Sequence, residues 1–150
     1  TLIEEGFKNK HKSETKLWKE IKKGFTHFAE NDVAVAKITP CFENRKSAIM
    51  RNLYNKIGAG TTELHIIRSI NGLILPEYLL SIFKTDKFIQ GGVDTYTGTA
   101  GQQRIKKDYL MNLVIGVPPL AEQKRIVEKV GKIMALCDEL EKQINNRYVE

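Results

Sequence analysis

The sequence predicts an α+β fold: a mixed globular domain followed by one long C-terminal α-helix that pairs in a coiled-coil-like manner. Three observations carry this. Up to Val117, short β-prone runs alternate irregularly with short helical patterns, with no repeated βα unit of the kind that builds a doubly wound sheet. Pro118-Pro119 then interrupts the chain. From Leu120 to Arg147 no proline occurs and the apolar residues fall at helical spacing. The division is therefore 1–118 for the globular part and 119–150 for the helical region.

Residues 8–23 are lysine-dense, and Leu17, Trp18 and Ile21 share one helical face, so a short amphipathic segment or an irregular basic loop is expected before Gly24. Asn31-Asp32 signals a turn, and Val33–Thr39 reads as a strand stopped by Pro40. Glu43–Lys46 is a polar turn, with Ala48–Leu53 the returning strand. Gly58-Ala59-Gly60 reads as a loop, and Glu63–Arg68 as a further strand. Pro76 opens a helix to Phe83 whose buried face is Leu79, Leu80, Ile82 and Phe83. A second short helix, Asp86–Gln90, is expected to end at Gly91-Gly92. Thr97–Arg104 is a glycine- and hydroxyl-rich loop. Lys107–Met111 forms a helical turn, and Leu113–Val117 a last strand.

The final helix, about 40 Å long at 1.5 Å per residue, carries Ile126, Val130, Ile133, Cys137, Leu140 and Ile144 at 4-3-4-3-4 spacing, a heptad seam. Val127, Met134 and Leu136 widen the stripe. Glu128–Lys132 and Asp138–Lys142 are i,i+4 pairs in the favourable order. So long a stripe exceeds what a small body can cover, so the helix is expected to pair with another long helix; the alternative is a terminal helix folded back on its own domain.

Composition narrows the function. The 150 residues carry net charge +6. The segment from Pro119 onward holds six basic and six acidic residues, so the excess, 18 Lys/Arg against 12 Asp/Glu, lies entirely in 1–118. A basic body with a neutral tail suits a polyanion partner for the first and a protein partner for the second. Cys41 and Cys137 are too few and too far apart for a disulfide framework or a zinc site, and read as small buried hydrophobes in a reduced, cytoplasmic protein. No apolar run approaches the roughly 20 residues that span a bilayer, so no membrane partner is expected. Thr1 follows no secretory pattern, and the chain is expected to begin inside a longer protein.

No catalytic constellation stands out. There is no Gly-x-Gly-x-x-Gly run and no P-loop, hence no evident phosphate or dinucleotide cradle and no expected cofactor. No Asn-Pro-Pro-aromatic or Asp-Pro-Pro-aromatic tetrapeptide occurs, since Pro118-Pro119 lies between Val117 and Leu120. No Pro-Asp with a following acidic-x-Lys element suggests a nuclease metal site. His11, His27 and His65 are scattered, and His65 reads as a satisfied structural residue. The most suggestive stretch is Thr97–Lys107, whose hydroxyls, freed amides, glutamines and basic side chains are groups that grip phosphates and read base edges.

Three segments together resemble one family. DVAVAKITPCFENRKSAI (Asp32–Ile49), TGTAGQQRIKKDYLMNLVIGVPPLAEQKRIV (Thr97–Val127) and MALCDELE (Met134–Glu141) resemble the specificity subunit of type I DNA restriction–modification systems, matching one target-recognition domain and its helical region over roughly 30–145. The resemblance implies a subunit of two such halves whose long helices pair antiparallel and act as a ruler between two DNA half-sites. It also implies partner methyltransferase subunits, and restriction subunits, that carry the catalysis. The chain would then be no enzyme itself. It covers only about half of such a subunit, residues before about 24 match poorly, and Gly131 stands where the family helix more often has a polar helix former.

The expected mechanism follows. Lys12, Lys16, Lys46, Lys106 and Lys107 neutralise phosphates of double-stranded DNA. Thr39, Arg45, Thr97, Thr99, Gln102, Gln103 and Arg104 reach into the groove. The seam Ile126, Val130, Ile133, Cys137, Leu140 and Ile144 pairs with a second copy or with a missing half. Two other readings stay open: a recognition fragment of a single-chain methyltransferase or restriction enzyme, and a coiled-coil interaction module whose basic charge is incidental.

Overall fold

The computed structural model describes residues 2–69 and 72–147, an α+β arrangement of small antiparallel sheets and helices. Its centre is a three-stranded sheet in the order β5-β4-β7, formed by β4 (Val33–Ala36), β5 (Ser47–Ile49) and β7 (Leu64–Ile67). Val33 lies opposite Ile49 on one side and Ile67 on the other. The run Val-Ala-Val-Ala does not alternate polar with apolar because both faces of β4 are covered. Val33 and Val35 face a core with Phe42, Ile49, Leu79, Leu80, Phe83 and Phe88. Ala34 and Ala36 face a second cluster with Phe28, Met50 and Leu64.

The first core is capped by α2 (Pro76–Phe83) and α3 (Asp86–Val93). Proline in the first turn of α2 gives up no helical hydrogen bond, and Leu79, Leu80 and Phe83 are buried as the periodicity requires, with Ile82 half-buried. Thr85 caps α3 by accepting from the Phe88 amide. Gly91-Gly92 does not end this helix, as the sequence suggests; it continues to Val93. The reason is close packing: a Cβ at Gly92 would lie 2.3 Å from the Phe42 ring, so glycine is what lets α3 lie on that ring.

The second cluster is covered by a two-stranded sheet, β3 (Thr26–Ala29) with β6 (Ile57–Gly60), and by the small hairpin of β1 (Leu2–Ile3) and β2 (His11–Lys12). Gly58-Ala59-Gly60 is therefore strand rather than loop, because its backbone pairs with Thr26–Phe28. The amphipathic N-terminal segment contracts to one turn, α1 (Trp18–Ile21). Leu113–Val117 forms no strand. It runs as an irregular link from α4 (Lys107–Met111) to α5 (Leu120–Arg147) and pairs with no strand of the described sheets.

The start of α5 is built into the body. Gln123 is completely buried: its carbonyl accepts from the Leu75 amide at 2.8 Å, and its amide donates to the Leu73 and Pro118 carbonyls at 2.9 and 2.8 Å. Beyond Val127 the helix leaves the body, and Val130, Ile133, Cys137, Leu140 and Ile144 are exposed. Cys137 is thus no buried hydrophobe within this chain, and Cys41 is only half-buried. The helix is neither folded back along its length nor free at its root. Glu122 pairs with Arg125 in the first turn, whereas the expected Glu128–Lys132 and Asp138–Lys142 pairs are not closed among the described residues.

Candidate nucleic-acid interface

The sheet has two dissimilar ends. At one, where β4 starts, the buried Asp32 carboxylate accepts from the Ala29 amide at 2.7 Å and takes both forks of Arg68 at 2.7 Å. Burial works to raise this carboxyl, but the Arg68 bonds, with the Ala29 amide, outweigh it and hold Asp32 below its usual value. Arg51 pairs with Glu77 on the same side, and Gln123 roots α5 beside the start of α2. This end is neutralised and occupied by the long helix.

The opposite end gathers the polar residues singled out by sequence. The Thr39 amide donates to the Gln103 carbonyl at 2.9 Å, Ile38 bridges Arg104, and Thr97 bridges Arg104, so Gly98–Gln103 projects as the tip of a short hairpin beside the end of β4. Gly98 has φ +115°, and a Cβ there would lie 2.9 Å from the Gln102 carbonyl oxygen, so both conformation and space demand glycine. Thr97, Thr99 and Gln102 are exposed, and Gln103 is half-buried. Lys46 follows the adjoining turn, its carbonyl accepting from the Ala36 amide at 2.9 Å. Lys106 and Lys107 follow directly and are exposed.

Two cations here are already engaged. Arg104 donates through both forks to Glu63 at 2.9 and 2.8 Å, and Glu63 is held below its usual value first by that pairing. Arg45, at φ +54°, donates to the Lys84 carbonyl at 3.0 Å, pairs with Asp86 and lies 5.1 Å over the Phe7 ring. Lys37, Lys46, Lys106 and Lys107 are the cations on this end with the least internal neutralisation; Lys46 approaches Glu5 at 3.9 Å. Beneath the loop, the Thr39 hydroxyl donates to Glu43, and Tyr96 is pushed well upward, first by burial and then by Glu43. Burial likewise holds the His65 imidazole below its usual value, with Lys37 adding to the effect, so it is neutral near pH 7. Its Nε2 has no partner among the described residues, so it is less completely satisfied than the sequence suggests.

Lys12 and Lys16 do not join this end. Both are exposed and line a separate groove against β6. Sequence reasoning also missed Lys84, which is buried and donates to the Gly6, Lys8 and Arg45 carbonyls at 2.7, 3.2 and 2.6 Å. It ties the N-terminal hairpin to the Cys41–Lys46 turn and so positions Arg45 and Lys46; burial lowers its pKa to about 8. A lysine directly after a helical apolar face was the one available signal.

Among the described residues no group of three or more His, Cys, Asp or Glu side chains is placed to hold a metal ion. No helix there is long and apolar enough to cross a membrane.

Comparison with known proteins gives a consistent answer. A family model described as "Type I restriction modification DNA specificity domain" matches residues 2–147. The chain is similar to the type I restriction enzyme EcoAI specificity subunit of Escherichia coli, 49% identical over 142 residues, covering 95% of this chain and 24% of that relative. It is also similar to the type I restriction enzyme EcoEI specificity subunit of Escherichia coli, 46% identical over 137 residues, covering 91% of this chain and 23% of the relative. The chain thus spans about a quarter of the length of these curated relatives, not the half that the resemblance implied.

Proposed function

The chain belongs to the type I restriction modification DNA specificity domain family, and from that premise we propose that it is one DNA-reading unit of a specificity subunit, with residues 1–118 as the target-recognition domain and 119–150 as the spacer helix. Double-stranded DNA docks on the end of the sheet opposite the root of α5. Lys46, Lys106 and Lys107 neutralise phosphates there. The hairpin tip Thr97–Arg104, with Thr99, Gln102 and Gln103 exposed or half-exposed, enters the groove, where glutamine can bond adenine bidentately. Thr39 and Arg45 flank it. Arg104 stays paired with Glu63 and holds the hairpin rather than reading a base.

The observation that carries this is charge asymmetry between the two ends: one closed by Asp32–Arg68 and Arg51–Glu77, the other crowded with lysines around a glycine-shaped polar loop. Catalysis belongs to partner methyltransferase and restriction subunits in a bacterial cytoplasm. The exposed seam of α5 serves as the pairing surface, toward a second recognition unit of a longer chain or, for this chain alone, a second copy.

The test is selection of bound duplexes from a random pool at moderate salt. Enrichment of a short motif is the expected result, with Gln102→Ala and Gln103→Ala relaxing individual positions and Lys107→Ala lowering the salt slope by about 1. No duplex binding even at low salt would overturn the reading in favour of a protein-interaction module.

A further inference from the structure

The β3–β6 face carries a surface that duplex docking leaves unused. Between β6, the turn at Asn52–Tyr54 and the segment 11–16 lies an open groove of about 1020 Å³, at the top of the roughly 300–1,000 Å³ usual for small-ligand clefts. Phe25, Tyr54 and Ile57 line it, and all three are exposed. Lys12 and Lys16 stand on its rim. Residues 11–16 supply that rim, with Glu14 among them 4.0 Å from Lys16, and the wider segment 8–23 holds seven lysines against Glu14 and Glu20.

Asn55 and Lys56 are both left-handed, at φ +53° and +58°, and this turn presents Tyr54 with 74% of its surface in solvent. A Cβ at Gly58 would lie 2.4 Å from the Phe28 ring, so β6 carries glycine where it lies directly on that ring, which also lines the groove. His27 Nε2 donates to the Ile21 carbonyl at 2.7 Å and its ring stacks on Trp18 at 5.1 Å, fastening α1 to β3. The sequence's single tryptophan therefore sits next to the groove, where Ile21 contributes to the wall.

Clustered exposed apolar side chains with a basic rim call for a ligand that is both anionic and apolar-faced. A closed duplex offers phosphates but hides its base faces in the stack. An unpaired strand offers both, and stacking on aromatic side chains beside a cationic groove is the general chemistry of single-strand binding. We propose that this groove binds a short single-stranded DNA segment, its phosphates along Lys12 and Lys16 and its bases on Phe25 and Tyr54. The inference stands on the groove alone and does not need the duplex reading.

The test titrates the chain with a 12-residue oligothymidylate, and with a blunt duplex of the same length, following Trp18 emission and labelled-strand anisotropy. The expected result is strand binding that changes Trp18 emission. Tyr54→Ala and Phe25→Ala should each weaken strand binding about tenfold while leaving duplex affinity unchanged, and Lys107→Ala should do the reverse. Tyr54 is exposed enough that its variant keeps the test valid if Phe25→Ala unfolds the chain. Strand affinity indifferent to Tyr54→Ala, or lost equally with Lys107→Ala, would overturn the inference. So would competition by polyglutamate as effective as by the strand, which would reduce the groove to bare charge. Failure of duplex binding with intact strand binding would sink only the duplex reading.

Discussion

Val33, Ala34, Val35 and Ala36 of β4 are all within 7% of complete burial, whereas Val130, Ile133, Leu140 and Ile144 of α5 are 40–57% exposed. Both runs are apolar at the spacing their element requires. They differ in what the rest of the chain brings to them. β4 is enclosed by β5 and β7 at its edges, by α2 and α3 on one face and by β3–β6 and the N-terminal hairpin on the other. α5 meets α2 near its start and then runs past the body. The apolar pattern states which face must be covered; only chain length and topology decide whether the same chain can cover it. Fully burying one such side chain is worth roughly 1.5–3 kcal/mol, a gain that the seam residues of α5 do not realise within this chain.

The contrast can be broken most severely from the core side. Phe42→Ala should cost about 3–5 kcal/mol, read by chemical denaturation, because Phe42 is buried among Phe88, Tyr96 and Gly92. A cost under about 1 kcal/mol would mean the site collapses freely and the core is loosely packed.

Gln123→Ala comes next, at about 2–4 kcal/mol, since it leaves the Leu75 amide and the Leu73 and Pro118 carbonyls without partners. It tests whether the root of α5 belongs to the body: the loss should appear in the single unfolding transition of the whole chain, not as separate melting of the helix.

Asp32→Asn probes the same end through pH. The folded carboxyl lies below its ordinary value, so its contribution is fully present above that ordinary value and lost as pH falls through the lower, folded one. The wild type should lose stability relative to Asp32→Asn in that window; parallel acid limbs would show that Arg68 contributes nothing through the charge. Gly131→Ala, where a Cβ meets nothing within 4 Å, should stabilise α5 by about 1 kcal/mol, seen as increased helicity by circular dichroism.

Ile133→Asp should have the smallest effect on folding, within about 0.5 kcal/mol for the dilute chain. Sedimentation at rising concentration should show self-association in the parent and none in the variant. A variant that unfolds instead would mean the seam is covered within the monomer.

Local pattern made the helices legible with little error. Pro76–Phe83, Lys107–Met111 and Leu120–Arg147 have the bounds their sequence implies, because proline fixes a start and apolar spacing fixes a face. Strands fared worse wherever their partners decided them. Gly58–Gly60 has the composition of a loop and becomes β6 because Thr26–Phe28 pairs with it; Leu113–Val117 has the composition of a strand and stays irregular without a partner. The hairpin Thr97–Arg104 was legible as a polar loop, and the bond from the Thr39 amide to its Gln103 carbonyl was not, because that contact joins residues far apart in sequence. Lys84 and Gln123 were invisible as structural hubs, since a buried polar side chain is recognised only by the carbonyls and amides that surround it.

What the sequence determined by itself was the class of fold, the long helix with its apolar seam, the basic excess of the body and the family resemblance, all of which rest on residue type and near-neighbour spacing. What only the tertiary structure decided was which cations stay available and where they stand. Arg104 and Arg45 are drawn into pairs with Glu63 and Asp86, and Lys12 and Lys16 are set apart from Lys46, Lys106 and Lys107. Electrostatic and packing partners are chosen by distance in space, and a chain with antiparallel strand pairs places distant residues together in ways that local spacing does not encode.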